Sequence, residues 1–558
     1  MKKIGKLILI LLVAVTTFSS CVKDWLDINQ DPNVPTKPEL SQLLSFSEYY
    51  MVQAVGQGNF LGHALSSYVH QAVQREVQNY GMNVQANNPL NSWNYMYRYA
   101  ISNFDAIVEY AEPDGNTYYA GIAKTLNAYA YSVLVDLFGD VPFTEANTPG
   151  ITAPKADPSK DIYNALIAML EDAIVDLQNT DAPNLIRPGT DDFYYGGNTA
   201  NWIRLNNTLK LRLLLQSRKA KSDITDWQGK LNALISADNF IASGQDLQYW
   251  YTTTTSPRDE RHPAFRNSGY YTGQTTFYIS PYFWETMNGL TLNTTDNPFA
   301  NIEDPRVPYF FCNQLASAAA TSENAHEYRN GTFMSIFFAS NGPNSARTND
   351  LANTKLGIYA NGGKYDNGSG GTLSLSTGNG VAPTKLITFY MLKFMLAELA
   401  LTGETSGDAR TLLKEGIEAS IAHVHTVAAR QTGIPTISNA DRDEYVDAVL
   451  GRYDAADANG KLRILMTQKW IANFMNPIES YNDIRRTGYP ILFDPQRTEN
   501  PGFGVNPTPT ATSPGAVPLL NIASFPRSLY YPATSEIELN PNLQQKTDIS
   551  VPIVFWDK

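Results

Sequence analysis

Residues 97–142, YRYAISNFDAIVEYAEPDGNTYYAGIAKTLNAYAYSVLVDLFGDVP, decide the architecture. Tyr97, Ile101, Phe104, Val108 and Ala111 recur at steps of four, three, four and three, which lays one apolar stripe along a helix. Pro113-Asp114-Gly115-Asn116 then breaks the pattern with turn chemistry. A second helix carries Ile122, Leu126, Tyr129, Val133 and Leu137 on one face, and Gly139 and Pro142 stop it. The segment predicts two antiparallel amphipathic helices of ~20 residues joined by a short turn.

Such a unit is similar to a degenerate tetratricopeptide-type repeat, and the helical pattern spreads outward from it. Further helices are expected at 159–178, 198–220 and 224–237, giving a helical repeat frame over 39–240. Helical periodicity returns at 384–402, 407–428, 440–456 and 460–486. Residues 386–401 are the most apolar stretch after residue 20, but Lys393 and Glu398 interrupt them, so a buried helix is expected, not a membrane span. Between the two helical blocks the composition changes. Residues 249–284 hold eleven aromatics in thirty-six positions, and 361–380 read NGGKYDNGSGGTLSLSTGNG. Long loops in a helical scaffold commonly carry function, so 241–383 is expected to be a loop-rich ligand-binding insertion. Residues 384–558 supply C-terminal helices and an irregular tail packing with the frame, Pro-, Asn- and Gly-rich over 488–532. The fold class is mostly α, with minor β in the loops.

The first residues, MKKIGKLILILLVAVTTFSSC, place Lys2, Lys3 and Lys6 before a short apolar run and small residues before Cys21. That is the pattern of a secretory signal, and ending on cysteine it is similar to a lipoprotein signal. Residues 1–20 are therefore expected to be removed and Cys21 to be acylated as the membrane anchor. Residues 21–38 form an extended leader broken by Pro32 and Pro35. Asp27, Asn29 and Asp31 have the opening spacing of a calcium loop. Pro32 stands where the sharp turn needs Gly, and Pro38 where the bidentate Glu belongs, so that reading fails. Loss of Lys2, Lys3 and Lys6 takes the formal charge from −12 to −15, which argues against nucleic acid and against polybasic attachment to lipid. Cys312 is the other cysteine, so no internal disulfide is expected.

No reactive constellation stands out. The histidines are His63, His70, His262, His326, His423 and His425, without HExxH or a metal-ligand spacing. GxSxG, P-loop and dinucleotide patterns do not occur. No catalytic residue, metal or cofactor is therefore expected. Carboxylate pairs are plentiful, which leaves a glycosidase open.

Recognition needs less: exposed rings and a few hydrogen-bonding groups. The candidates in the insertion are Trp250, Tyr251, Tyr270, Tyr271, Tyr278 and Trp284, with Arg258, Arg261 and Asn267 as polar partners. Tyr365 sits in the Gly-rich loop, and Trp93 follows an Asn-rich one. For each ring, packing beneath the loops is the competing role, since most Trp and Tyr are largely buried. Trp202 and Trp470, among apolar neighbours, read as core. Arg485, Arg486 and Tyr489 read as fixing the chain after a helix.

Six ordered segments resemble SusD/RagB-type outer-membrane lipoproteins, of the subgroup with a DPN leader. They are DINQDPNVP (27–35), TLNAYAYSVLVDLFGDVPFTEA (125–146), WIRLNNTLKLRLLLQ (202–216), DPRVPYFF (304–311), TQKWIANFMNPIESYNDIRRTGYP (467–490) and FPRSLYYPATSEIELNPN (525–542). The resemblance implies a SusD-like fold of tetratricopeptide-like helix pairs under a loop-rich ligand face. It also implies a non-catalytic, lipid-anchored outer-membrane protein facing the cell surface, which passes glycans or peptides to a SusC-like TonB-dependent barrel. Two other readings remain: a helical-repeat scaffold binding a protein, and a surface hydrolase.

Overall fold

The computed structural model describes residues 38–57, 60–74, 80, 89–269, 277–292, 297–319, 328–339, 352–492 and 524–558. Cys21, most of the leader, Tyr270 and Tyr271 lie outside the described residues. The chain is mostly helical, as its periodicity predicts. Strands among the described residues form five two-stranded antiparallel ribbons. No helix among them is long and apolar enough to cross a membrane.

The longer helices are α1 (Leu40–Val55), α2 (Ser102–Ala111), α3 (Thr117–Phe138), α4 (Ser159–Gln178), α5 (Thr199–Gln216) and α6 (Trp227–Ala237). After the loop region come α7 (Phe389–Leu401), α8 (Ala409–Ala428), α9 (Asn439–Ala455), α10 (Ala458–Ala472) and α11 (Pro477–Thr487). α3 lies between α2 and α4, and α4 leans on α5. In the second stack α7 packs on α8 and α10, with α9 beside both. Side chains at helix starts explain several boundaries: Asn198, Ser438 and Asp457 accept from Asn201, Asp441 and Gly460 N–H at 3.1, 3.1 and 2.7 Å. Gly139 ends α3 with φ +79°, and a Cβ there would sit 2.9 Å from Ile553 Cγ2.

Three local expectations are corrected. The stripe on α3 predicts one buried face, yet α3 is buried on nearly all sides. Small residues make this possible: a Cβ at Gly121 would stand 2.7 Å from Leu177 Cγ, so α4 approaches the backbone itself. The helix expected over 384–402 begins only at Phe389. Residues Pro383–Ile387 instead pair as a strand with Leu247–Trp250, and the Thr388 hydroxyl accepts from Met391 N–H. The helix expected over 460–486 breaks between Ala472 and Pro477, because proline starts helices and cannot continue them.

The stripe from Tyr97 to Ala111 belongs to a longer helical rod. It runs from Leu90–Asn94 through a π-helical stretch, Tyr95–Ile101, into α2. The wider turn rotates the side chains that follow, so Met96, Ala100, Ile101 and Phe104 face the core.

One buried carboxylate ties the frame to the C-terminal block. Asp136 on α3 accepts from Arg212 Nη2 (2.8 Å), Asn482 Nδ2 (2.9 Å), Trp556 Nε1 (3.2 Å) and the Tyr163 hydroxyl. Arg212 on α5 also reaches Glu479 Oε1 at 2.7 Å. Burial opposes charge on Arg212, but Glu479 and Asp136 outweigh it and hold the guanidinium charged. A parallel cluster joins Glu398 on α7 to Arg486 on α11, where Asp483 bridges Arg486 and Lys469 at 2.8 Å each. Replacing Arg212 with Ala strands two buried carboxylates, so Arg212→Ala is expected to cost about 3–5 kcal/mol. Chemical denaturation checks this, and a loss below about 1 kcal/mol contradicts the hub's role.

Candidate functional site

Helix α1 buries Leu44, Ser47, Glu48, Met51, Val52 and Val55 and turns Phe46, Tyr49 and Tyr50 outward. Positions 46, 49 and 50 share one helical face. Three other segments face it across an open cleft of about 1040 Å³: the loop at 190–193, the strand Leu247–Trp250, and the loop at 252–260. Tyr249 meets Tyr49 edge-on at 6.2 Å between ring centroids, and Phe193 meets Tyr249 at 5.7 Å. On the other side of Tyr49, Tyr50 stands 4.5 Å from Phe46, 4.7 Å from Tyr99 and 5.2 Å from Tyr95. The rings thus form one continuous aromatic track, tilted and edge-to-face as ring quadrupoles favour.

Its polar groups are placed with equal care. The Arg258 guanidinium lies 4.7 Å from the Tyr49 ring centroid and its side chain is 58% exposed, so its donors stay open to a ligand. The loop bearing it closes on itself through Thr252 N–H to Glu260 O (3.1 Å) and Glu260 N–H to Thr254 O (2.8 Å). Burial pushes the Tyr249 hydroxyl up to about 12, so it remains a neutral donor. Phe193, 44% exposed, is presented by a loop wound around Asp192, which accepts from Tyr194, Tyr195 and Gly197 N–H and from Trp202 Nε1. Buried Glu48 accepts the Phe193 N–H at 2.8 Å. Burial, reinforced by Asp192, raises the Glu48 carboxyl well above its ordinary value.

The expected site residues separate into groups. Trp250 and Arg258 line the cleft, and Trp250 is half-buried with Arg430 4.4 Å over its ring. Tyr251 is buried beneath, its hydroxyl 3.3 Å from Thr384 Oγ1. Tyr278 and Trp284 are buried elsewhere, Trp284 stacked on Phe333 at 4.2 Å. Trp93 is buried at the start of the π-helical rod. Arg261 pairs with Asp259 at 2.7 Å, away from the cleft lining, and Asn267 is exposed outside it. Tyr365 packs on Tyr309 at 4.9 Å, and its loop is pinned by Asp366 to Asn313 N–H (3.0 Å) and by Asp366 N–H to Pro308 O (2.9 Å). Trp202, Trp470, Arg485 and Arg486 are buried. Phe46, Tyr49, Tyr50, Phe193 and Tyr249 were not singled out from sequence. The run FSEYY at 46–50 carried the signal, since it sets three rings opposite Leu44, Met51 and Val55.

Under the cleft strand lies a polar core. Lys385, paired in register with Gln248, is buried, and its Nζ has no hydrogen-bond partner among the described residues. The Tyr359 ring faces it at 4.0 Å, and His423 links Tyr359 Oη (3.2 Å) to Gln248 Oε1 (2.9 Å). Burial lowers Lys385 to about 7 and His423 to about 3, Lys385 adding to the effect on His423.

The family model described as "Starch-binding associating with outer membrane" matches residues 32–506, so the chain belongs to this SusD-like family. No curated protein matches the chain. Among solved structures, a Bacteroidetes SusD-like protein is 19% identical with a TM-score of 0.65, covering 93% of this chain and 100% of that one. A SusD homologue from Bacteroides fragilis is 17% identical with a TM-score of 0.65, over 94% and 100% of the two chains. A chitin-binding SusD homologue from Flavobacterium johnsoniae is 16% identical with a TM-score of 0.59, over 93% and 97%. These likenesses are of fold.

A lysine whose value is lowered in the folded state binds its proton more readily when unfolded. Its stabilising contribution is complete above its ordinary value near 10.5 and is lost as pH falls toward about 7. Lys385→Met is therefore expected to raise stability by roughly 4 kcal/mol at pH 7 and to flatten the rise between pH 7 and 10. Denaturant titrations across that range check it; parallel pH curves for the two proteins contradict it.

Proposed function

We propose that this SusD-like chain is a non-catalytic cell-surface lipoprotein, anchored through acylated Cys21, that holds an oligosaccharide along the aromatic cleft. It delivers that ligand to a SusC-like TonB-dependent barrel. The observation that carries the reading is the ring track from Tyr95 and Tyr99 through Tyr50, Phe46 and Tyr49 to Tyr249 and Phe193. Sugar rings present apolar C–H faces and polar edges, which match aromatic platforms flanked by Arg258, Glu260, Thr190 and Thr252. The family's description as starch-binding and the chitin-binding of one structural relative support a glycan over a peptide.

The cleft's form also favours nutrient capture over a protein scaffold, because loops and one helix line it, whereas the faces of the helix pairs are turned into the core. For the hydrolase reading, Asp191 is a poor reagent. Its Oδ2 takes the Tyr119 hydroxyl at 2.8 Å and its Oδ1 the Gly189 N–H at 2.8 Å, so it serves the loop.

Calorimetric titration with malto- and chito-oligosaccharides and with peptides tests the ligand class. Tyr49→Ala and Arg258→Ala are each expected to weaken oligosaccharide binding roughly tenfold without unfolding the chain. Unchanged affinity in both variants, or binding of peptides alone, contradicts the glycan cleft. Purification of the acylated chain from outer membrane is expected to bring a TonB-dependent barrel with it.

A further inference from the structure

The π-helical rod that sets Tyr95 and Tyr99 against Tyr50 of the cleft sends Asn94, Tyr97 and Arg98 to a second concavity of about 310 Å³. Segments far apart in sequence wall it: the rod itself, the loop from Pro142 to Pro154, and Glu536. They are locked together before any ligand arrives. The Tyr97 hydroxyl donates to Pro142 O at 2.8 Å, Asn147 Nδ2 to Asp105 Oδ2 at 2.9 Å, and Asn540 Nδ2 to Pro154 O at 2.8 Å. A preformed pocket spares a ligand the cost of ordering its walls.

Its chemistry is mixed. Glu536 stands half-buried in this wall with Trp93, and burial raises its carboxyl above its ordinary value. It has no ion-pair partner among the described residues, and neither has Arg98, whose guanidinium rests 5.6 Å from the Tyr99 centroid. A carboxylate kept partly from water with spare acceptor capacity is costly unless a donor reaches it. An ammonium ligand would meet Arg98 at the same wall, and an anion would meet Glu536. An uncharged ligand with several hydroxyls suits both, since it can donate to Glu536 and accept from Arg98 and Asn147. The half-buried Tyr97 ring, 4.8 Å from Trp93, supplies the apolar face. The volume lies at the lower end of ligand pockets, enough for one ring and too little for a chain.

We propose that this pocket is a second carbohydrate subsite, separate from the cleft, which takes a single uncharged sugar residue with Glu536 as hydroxyl acceptor and Tyr97 as platform. The proposal rests on the reading of the chain as a glycan binder. The cleft would then grip the body of an oligosaccharide while the pocket reads a branch or end.

Saturation-transfer NMR and titration on the full chain test it, with glucose and N-acetylglucosamine as pocket probes and a linear malto-oligosaccharide as cleft probe. The monosaccharides are expected to bind the wild type and Tyr49→Ala equally. They should bind roughly tenfold or more weakly to Glu536→Gln, which removes the carboxylate at nearly constant size, and to Ala146→Trp, which fills the pocket. Melting curves for both variants identify any that fail to fold, and the other then decides. Equal monosaccharide binding by wild type and a folded pocket variant overturns the subsite. Oligosaccharide binding with no monosaccharide signal also overturns it, yet leaves the nutrient-binding reading standing. Silence from every saccharide overturns both.

Discussion

Everything else in this molecule depends on Asp136 being satisfied. A carboxylate with no exposed surface requires several donors at once, and here they arrive from α4, α5, α11 and Trp556. Arg485 closes the ring by donating to the Asp136 backbone carbonyl at 2.6 Å while lying between the faces of Tyr481 and Trp556. Such a cluster adds little net stability over an apolar core of the same shape, because desolvation offsets most of the attraction. What it imposes is geometry, since every alternative packing leaves a buried charge alone. The two helix stacks therefore have one mutual arrangement, and loops laid across both inherit a fixed base.

The segments that carried the family resemblance are largely the segments of these clusters. Asp136 comes from 125–146, Arg212 from 202–216, and Glu479, Asn482 and Arg485 from 467–490. Arg306, from 304–311, is held by Asp304 and Ser420 and approaches Gln468 at 3.3 Å. Arg527, from 525–542, donates to Arg485 O at 3.1 Å. A pattern recognised from sequence was thus a pattern of core charges. That is why it identified the fold and was silent about the ligand.

Periodicity made the helical frame legible, because a 3.6-residue repeat follows from burying one face. It was less able to locate breaks such as Thr388 or Asn473–Asn476, where a strand or a tight turn borrows apolar residues that a helix would also accept. The site was harder still. An aromatic-rich insertion suggested exposed rings, yet Tyr278 and Trp284 offer large apolar surfaces that the core takes first. Three of the rings that remain outside sit on α1, where position alone decides: Tyr49 and Met51 are two residues apart and face opposite ways. Only the neighbours contributed by residues 193 and 249, far along the chain, turn such a helix face into a cleft.

The wide turn at Tyr95–Ile101 makes one rod both a wall of the smaller pocket and the support against which Tyr50 of the cleft rests. Its phase is therefore a common setting. An ordinary α-helical path, one residue shorter, would rotate everything before the turn by about 100° relative to α2. Tyr95 would leave the neighbourhood of Tyr50, and Trp93 would leave the pocket wall it shares with Glu536, in a single movement. The two recesses behave as gears on one shaft: a lineage can retune the residues of either separately, but it can change the pitch of the rod only for both together.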